Sequence, residues 1–154
     1  IVLAMTPFGG ISGWKGVVRV RRMLGLFAFT YVLLHLTSYV VLDHFFGWRD
    51  IWADIVKRNF ITVGVVNVVL LTPLAVTSTN AMVRRLGARR WRLLHRLVYV
   101  IGILGVVHFY MMVKAYVREP LVYAAILALL LGYRALAAWR RRHDRARPAV
   151  TVNP

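Results

Sequence analysis

Four stretches of this 154-residue chain, 23–42, 60–83, 97–113 and 120–133, contain no Asp, Glu, Lys or Arg. A hydrocarbon core about 30 Å thick is crossed by roughly 20 helical residues, so each stretch spans a bilayer with its flanks. The last continues to Trp139 if Arg134 snorkels to the rim. The expected architecture is an all-α integral membrane protein, a helical bundle of four complete transmembrane helices at about 22–43, 60–82, 94–115 and 120–139. Ile1 to Met5 lack the basic region and cleavage site of a signal peptide and read as a truncated N-terminal helix, the end of one that starts earlier. Residues 1–139 are then one transmembrane domain and 140–154 a basic cytoplasmic tail.

Charge fixes the orientation. Of 21 basic residues, 16 fall on one side of the expected membrane: Lys15, Arg19, Arg21 and Arg22; Arg84, Arg85, Arg89, Arg90, Arg92 and Arg96; Arg134, Arg140, Arg141, Arg142, Arg145 and Arg147. Arg49, Lys57, Arg58, Lys114 and Arg118 lie on the other, with Asp43, Asp50, Asp54 and Glu119. By the positive-inside rule the first group, and the C-terminus with it, is cytoplasmic. A net charge of +16 on a chain that is 60% hydrophobic suits cationic loops at a lipid membrane better than nucleic-acid binding.

In the outer loop, Trp48, Ile51, Trp52, Ile55 and Val56 recur at helical spacing opposite Arg49, Asp50, Asp54, Lys57 and Arg58, the pattern of an amphipathic helix lying on the membrane surface. It serves as an aromatic anchor in lipid or as a docking face. Pro73 is expected to kink the second span, with Thr72 or Thr77 satisfying the freed carbonyl. Gly9, Gly10, Gly13 and Gly16 read as turn residues, not as a nucleotide-binding loop. No soluble FAD or nicotinamide domain is evident.

The chain has no cysteine, which excludes disulfides, iron–sulfur clusters and covalently attached haem. Ionisable groups inside a membrane are costly and usually functional. Those within the spans are His35, His108 and, at a cytoplasmic entrance, His95; His44 and His143 fit solvated surface roles. His35 lies 13 residues from Arg22, and His108 lies 13 from His95. At 1.5 Å per residue both imidazoles sit about 20 Å from the cytoplasmic helix ends, at matched depth on separate helices. Zinc would want further ligands that this depth does not offer. A b-type haem needs two axial imidazoles on facing helices. On a helical wheel Gly102 and Gly105 fall between His95 and His108, and Gly25 lies near His35; such small residues make room for a macrocycle or serve close helix packing. Met111 and Met112 suit lipid or core packing.

Arg21 to Leu26 (RRMLGL), Leu34 to Tyr39 (LHLTSY), Leu74 to Asn80 (LAVTSTN), Leu86 to Tyr99 (LGARRWRLLHRLVY) and His108-Phe109 together resemble the MsrQ (YedZ) family. That family is the haem-binding membrane subunit of the bacterial protein-methionine-sulfoxide reductase system, within the ferric-reductase-like transmembrane group. The resemblance implies an electron-transfer subunit of the inner membrane, not an enzyme on its own. It would carry electrons through haem b, from a cytoplasmic flavin reductase through FMN or from the quinol pool, to a periplasmic molybdenum-containing subunit. Axial ligation falls to His35 and His108. The wider group has a second, inner histidine pair, and this chain keeps only His95 of it, with Arg21 and Arg22 where the partner would stand. Arg21, Arg22 and His95 then make a cationic pocket suited to a flavin phosphate, a quinone or haem propionates, unless the arginines only mark topology. Thr77, Ser78 and Thr79 could bond a phosphate or cap the helix end. Another b-type cytochrome, a transporter with titrating histidines, and a non-redox scaffold are the competing classes.

Overall fold

The computed structural model describes residues 2–5, 16–113 and 117–146, and every regular element among them is helical. α1 (Val17–Ser38) continues as a π-helical turn (Tyr39–Asp43); α2 (Trp48–Lys57), α3 (Asn59–Val76), α4 (Asn80–Leu94), α5 (Leu97–Met112) and α6 (Arg118–Ala146) follow. Lys15, Lys114, Arg147, Gly9, Gly10, Gly13 and the tail past residue 146 lie outside the described residues.

α1 with its π turn, α3 and α6 are each long and apolar enough to cross a membrane, while α4 and α5, bent by 45° at their junction, pass together as a fourth span. Side-chain contacts give the register. Arg22 meets Asn80 at one end of the α1–α3 pair, and Tyr39 meets Asp54 at the other. His108 meets Phe60, and Gly105 meets Asn67. Phe109 meets Tyr123, and Tyr99 meets Arg134. The four spans therefore alternate in direction, with α3 packed on both α1 and α5, and α5 packed on α6. The basic residues of 19–22, 84–96 and 134–142 consequently share one end.

Burial is sparse. Among the described residues Leu3, Ile51, Ile61, Leu74, Ile101 and Pro120 are the buried apolar side chains, whereas Tyr31 (71%), Val69 (63%) and Leu129 (75%) face outward. A surface this apolar would aggregate in water and is matched by lipid tails.

The reversal between α1 and α2 places Phe45 and Phe46 at positive φ, 45° and 63°, which non-glycine residues rarely adopt. α2 follows as the periodicity predicts: Ile51 is buried while Trp48 and Trp52 are exposed. Thr62 ties the start of α3 back to the Ile55 carbonyl. His44 departs from its solvated expectation. Its Nε2 lies 3.4 Å from Asp54 Oδ2, its ring meets Tyr39 edge-on at 4.6 Å, and Asp54 also takes the Arg58 guanidinium at 3.2 Å.

α3 ends at Val76, short of the expected 82, so Pro73 occupies its last turn and not the middle of a span. The proline removes the amide that would bond the Val69 carbonyl, but the hydroxyl bonds fall elsewhere, from Thr72 to Val68 and from Thr77 to Pro73. The arginine-rich stretch that follows is helical: Thr79 accepts from the Met82 amide to start α4. Gly87, at φ 74° and ψ 153°, breaks α4 in two. That backbone region is open essentially to glycine alone and costs other residues about 1–3 kcal/mol. A Cβ at Gly87 would meet nothing within 4 Å, so Gly87→Ala isolates the backbone effect. It is expected to lower the thermal midpoint followed by circular dichroism in detergent, and an unchanged midpoint would show that α4 is not held in this bend.

Candidate functional site

His108, half-buried on α5, places Nδ1 2.7 Å from the Phe60 carbonyl in the first turns of α3. A carbonyl oxygen only accepts, so Nδ1 carries the proton and Nε2 keeps its lone pair. Metal-ligating histidines are held in this way, with the second ring nitrogen bonded to a carbonyl or carboxylate that fixes tautomer and orientation. One turn along α3 from Phe60, Gly64 lets the backbone lie against the ring. A Cβ there would stand 2.9 Å from His108 Cε1, closer than real Cβ contacts come, and 3.2 Å from Nδ1. Sequence reasoning missed Gly64, because which glycine faces a histidine depends on the α3–α5 register.

His35 is exposed on α1, and its side chain makes no hydrogen bond or ring contact among the described residues. Its helix packs on α3, as does that of His108, and the two rings do not touch. The donor set is thus one imidazole locked with Nε2 available and one unengaged imidazole on a separate helix, which suits a group that takes a single axial nitrogen from each side. No group of three His, Cys, Asp or Glu that could hold a metal ion occurs among the described residues. A buried, unpartnered atom adds to the fit: Asn67 Oδ1 has no hydrogen-bond partner, and Asn67 lies against Gly105, one turn from His108.

The glycines divide. A Cβ on Gly25 would meet nothing within 4 Å, so α1 is open there. Gly102 faces Leu3 and Leu127, at 3.4 and 3.5 Å from a built Cβ, and Gly105 faces Asn67. Gly102 thus faces the N-terminal segment and α6, and Gly105 faces α3. The wheel reading treated His95 to His108 as one straight helix, and the 45° bend between α4 and α5 removes that premise.

At the arginine-rich end of the bundle His95 stacks on Trp91 with ring centroids 3.9 Å apart, and its Nδ1 lies 3.1 Å from the Trp91 carbonyl. Trp91 in turn donates to the Thr77 carbonyl. The Thr77 and Ser78 hydroxyls donate to the carbonyls of Pro73 and Leu74, both at 2.6 Å, so they finish α3, the capping alternative. Arg22 donates to Asn80 Oδ1, and Arg21 is half-buried. Arg134 does not snorkel. It is half-buried and donates to the Tyr99 hydroxyl and the Leu3 carbonyl, both at 2.7 Å.

Residues 1–106 match the family described as ferric reductase like transmembrane component. The protein-methionine-sulfoxide reductase heme-binding subunit MsrQ of Rhodospirillum rubrum is 58% identical over 147 residues, 96% of this chain and 71% of that protein. The chain belongs to the MsrQ family. The MsrQ proteins of Herminiimonas arsenicoxydans (50% identical, 92% of this chain) and Caulobacter vibrioides (52%, 86%) match as well. This chain spans 66% and 63% of their lengths. No solved structure matches. Membership in this transmembrane family and the apolar helices together make the chain a multi-pass membrane protein.

Proposed function

We propose that this chain is the haem b electron-transfer subunit of a protein-methionine-sulfoxide reductase system, bound axially through His35 and His108. The relatives' names, heme-binding subunits of that reductase, support the reading. The observation that carries it is the His108 Nδ1 bond to Phe60 beside the Gly64 backbone, which leaves Nε2 ready to ligate. Haem bound there supplies a one-electron carrier in the outer half of the membrane. The asymmetry of basic residues supports an inner-membrane protein with a cytoplasmic C-terminus. The chain is not catalytic on its own: sulfoxide reduction belongs to a periplasmic molybdenum-containing partner, and electrons come from a cytoplasmic flavin reductase or from quinol.

The axial histidines lie about 20 Å from the cytoplasmic helix ends, which favours a carrier between donor and haem. FMN is the proposed carrier and a quinone the alternative, held by Arg21 and His95, with Arg22 committed to Asn80. Anaerobic mixing with a flavin reductase and FMN is expected to reduce the haem, and adding the partner with methionine sulfoxide to reoxidise it. Haem that neither treatment changes would overturn the assignment to this system.

The partner is proposed to dock on the outer face around Trp48 and Trp52. Asp54 is a poor probe of docking because its carboxylate holds His44 and Arg58. Arg49→Glu with Lys57→Glu is expected to slow haem reoxidation by the partner several-fold at low salt without changing haem content, as rim charges act mainly on association. An unchanged rate places the docking face elsewhere.

A further inference from the structure

One carboxylate, Asp54, gathers side chains from three segments of the chain. Its Oδ2 lies 3.4 Å from His44 Nε2 and accepts from the Tyr39 hydroxyl at 3.5 Å, while its Oδ1 meets the Arg58 guanidinium at 3.2 Å. Tyr39 opens the π-helical turn, His44 follows it, Asp54 lies near the end of α2, and Arg58 closes that helix. The His44 and Asp54 side chains are 16% and 17% exposed, and charges so sheltered are screened less than a surface pair. The backbone between them is closed as tightly. The Phe46 amide donates to the Val40 carbonyl at 3.0 Å and the Gly47 amide to the His44 carbonyl at 2.7 Å. Phe45 and Phe46 keep positive φ in between, a conformation that persists where the surrounding contacts over-determine it.

This clamp stands one helical turn from His35. His35 and Tyr39 are four residues apart and so on one face of α1, and the Tyr39 amide donates to the His35 and Leu36 carbonyls. The π-helical turn begins at that point, and such single turns concentrate at functional sites. The two histidines are held differently. His108 takes its direction from the Phe60 carbonyl and the Gly64 backbone, whereas the His35 ring has no hydrogen bond among the described residues and takes its direction from α1. We infer that Asp54 is a positioning residue for His35: through Tyr39 it fixes the rotation of the end of α1, and with it the direction in which the imidazole leaves the helix. The surface helix α2 and a histidine within the span then move as one body. The inference rests on the reading of His35 as an axial ligand given above, and the clamp itself does not.

The test uses the full chain in mild detergent, as purified and after haem extraction, in four forms: wild type, Tyr39→Phe, Asp54→Asn and Asp54→Glu. Amide hydrogen exchange over residues 36–46 reads the clamp with and without haem. The electron paramagnetic resonance spectrum of the ferric haem reads the ligand, because the g values of a bis-imidazole haem follow the angle between its two ring planes. Asp54→Asn is expected to speed exchange in that segment about tenfold, and Tyr39→Phe, which keeps the ring and loses the donor, to speed it by less, both at unchanged helix content. Both should shift the g values at unchanged haem content, and Asp54→Glu, which keeps the charge, should restore those of the wild type. If Asp54→Asn loses its haem, Tyr39→Phe carries the spectroscopic comparison. Exchange in Asp54→Asn as slow as in the wild type would overturn the clamp. Faster exchange with wild-type g values would overturn the positioning role and leave His35 a ligand. A wild type without haem would remove the ligand reading and the positioning role together, with the exchange rates still reporting the clamp.

Discussion

Gly64→Ala is expected to strip haem from the purified protein by about 10–100-fold in affinity, the range seen when groups behind a metal ligand are altered. The added Cβ would stand 2.9 Å from His108 Cε1, and the ring cannot step aside without giving up its bond to the Phe60 carbonyl. The useful control is Gly102→Ala, whose Cβ would come 3.4 Å from a flexible leucine methyl, an ordinary contact. That variant should keep its haem. Haem per chain, measured after extraction and normalised to protein, checks both. Full haem content in Gly64→Ala would mean that the α3 backbone is not what orients the ligand.

On the proposed assignment His35→Ala and His108→Ala should each reduce haem content to background, since two imidazoles would hold the iron and no group of three His, Cys, Asp or Glu that could replace one occurs among the described residues. His95→Ala should retain haem. Its ring is occupied with Trp91, stacked at 3.9 Å and bonded through Nδ1 to that residue's carbonyl. Loss of haem in His95→Ala with retention in His35→Ala would move the site to the inner half of the membrane.

Much of the bundle could be read from the sequence because the absence of charge over roughly 20 residues is itself the physical requirement for crossing a bilayer. The surface helix Trp48–Lys57 was legible for a related reason, its apolar residues repeating at helical spacing. α4 was not. Its arginines look like a solvated loop, and only the Thr79 cap and the break at Gly87 turn that stretch into two helical pieces. His35 and His108 stood out as ionisable groups at one depth, a one-dimensional property. Gly64 did not, since its role exists only once α3 lies against α5 in a particular register. Arg134 was expected at the lipid rim because hydropathy treats guanidinium as something only water can satisfy. The Tyr99 hydroxyl and the Leu3 carbonyl, residues 35 and 131 positions away along the chain, satisfy it instead. His44 shows the same limit: its partner, Asp54, is brought to it by the turn at Phe45 and Phe46.

The most direct test of the account is one pair of absorption spectra, oxidised and dithionite-reduced, of the detergent-purified chain, with haem and protein quantified on the same sample. A single low-spin haem b per chain, with the sharp reduced bands of bis-imidazole ligation that vanish in His35→Ala and in His108→Ala, is the predicted result. A chain that folds into its helices and carries no haem, or one whose bands survive both substitutions, would contradict it.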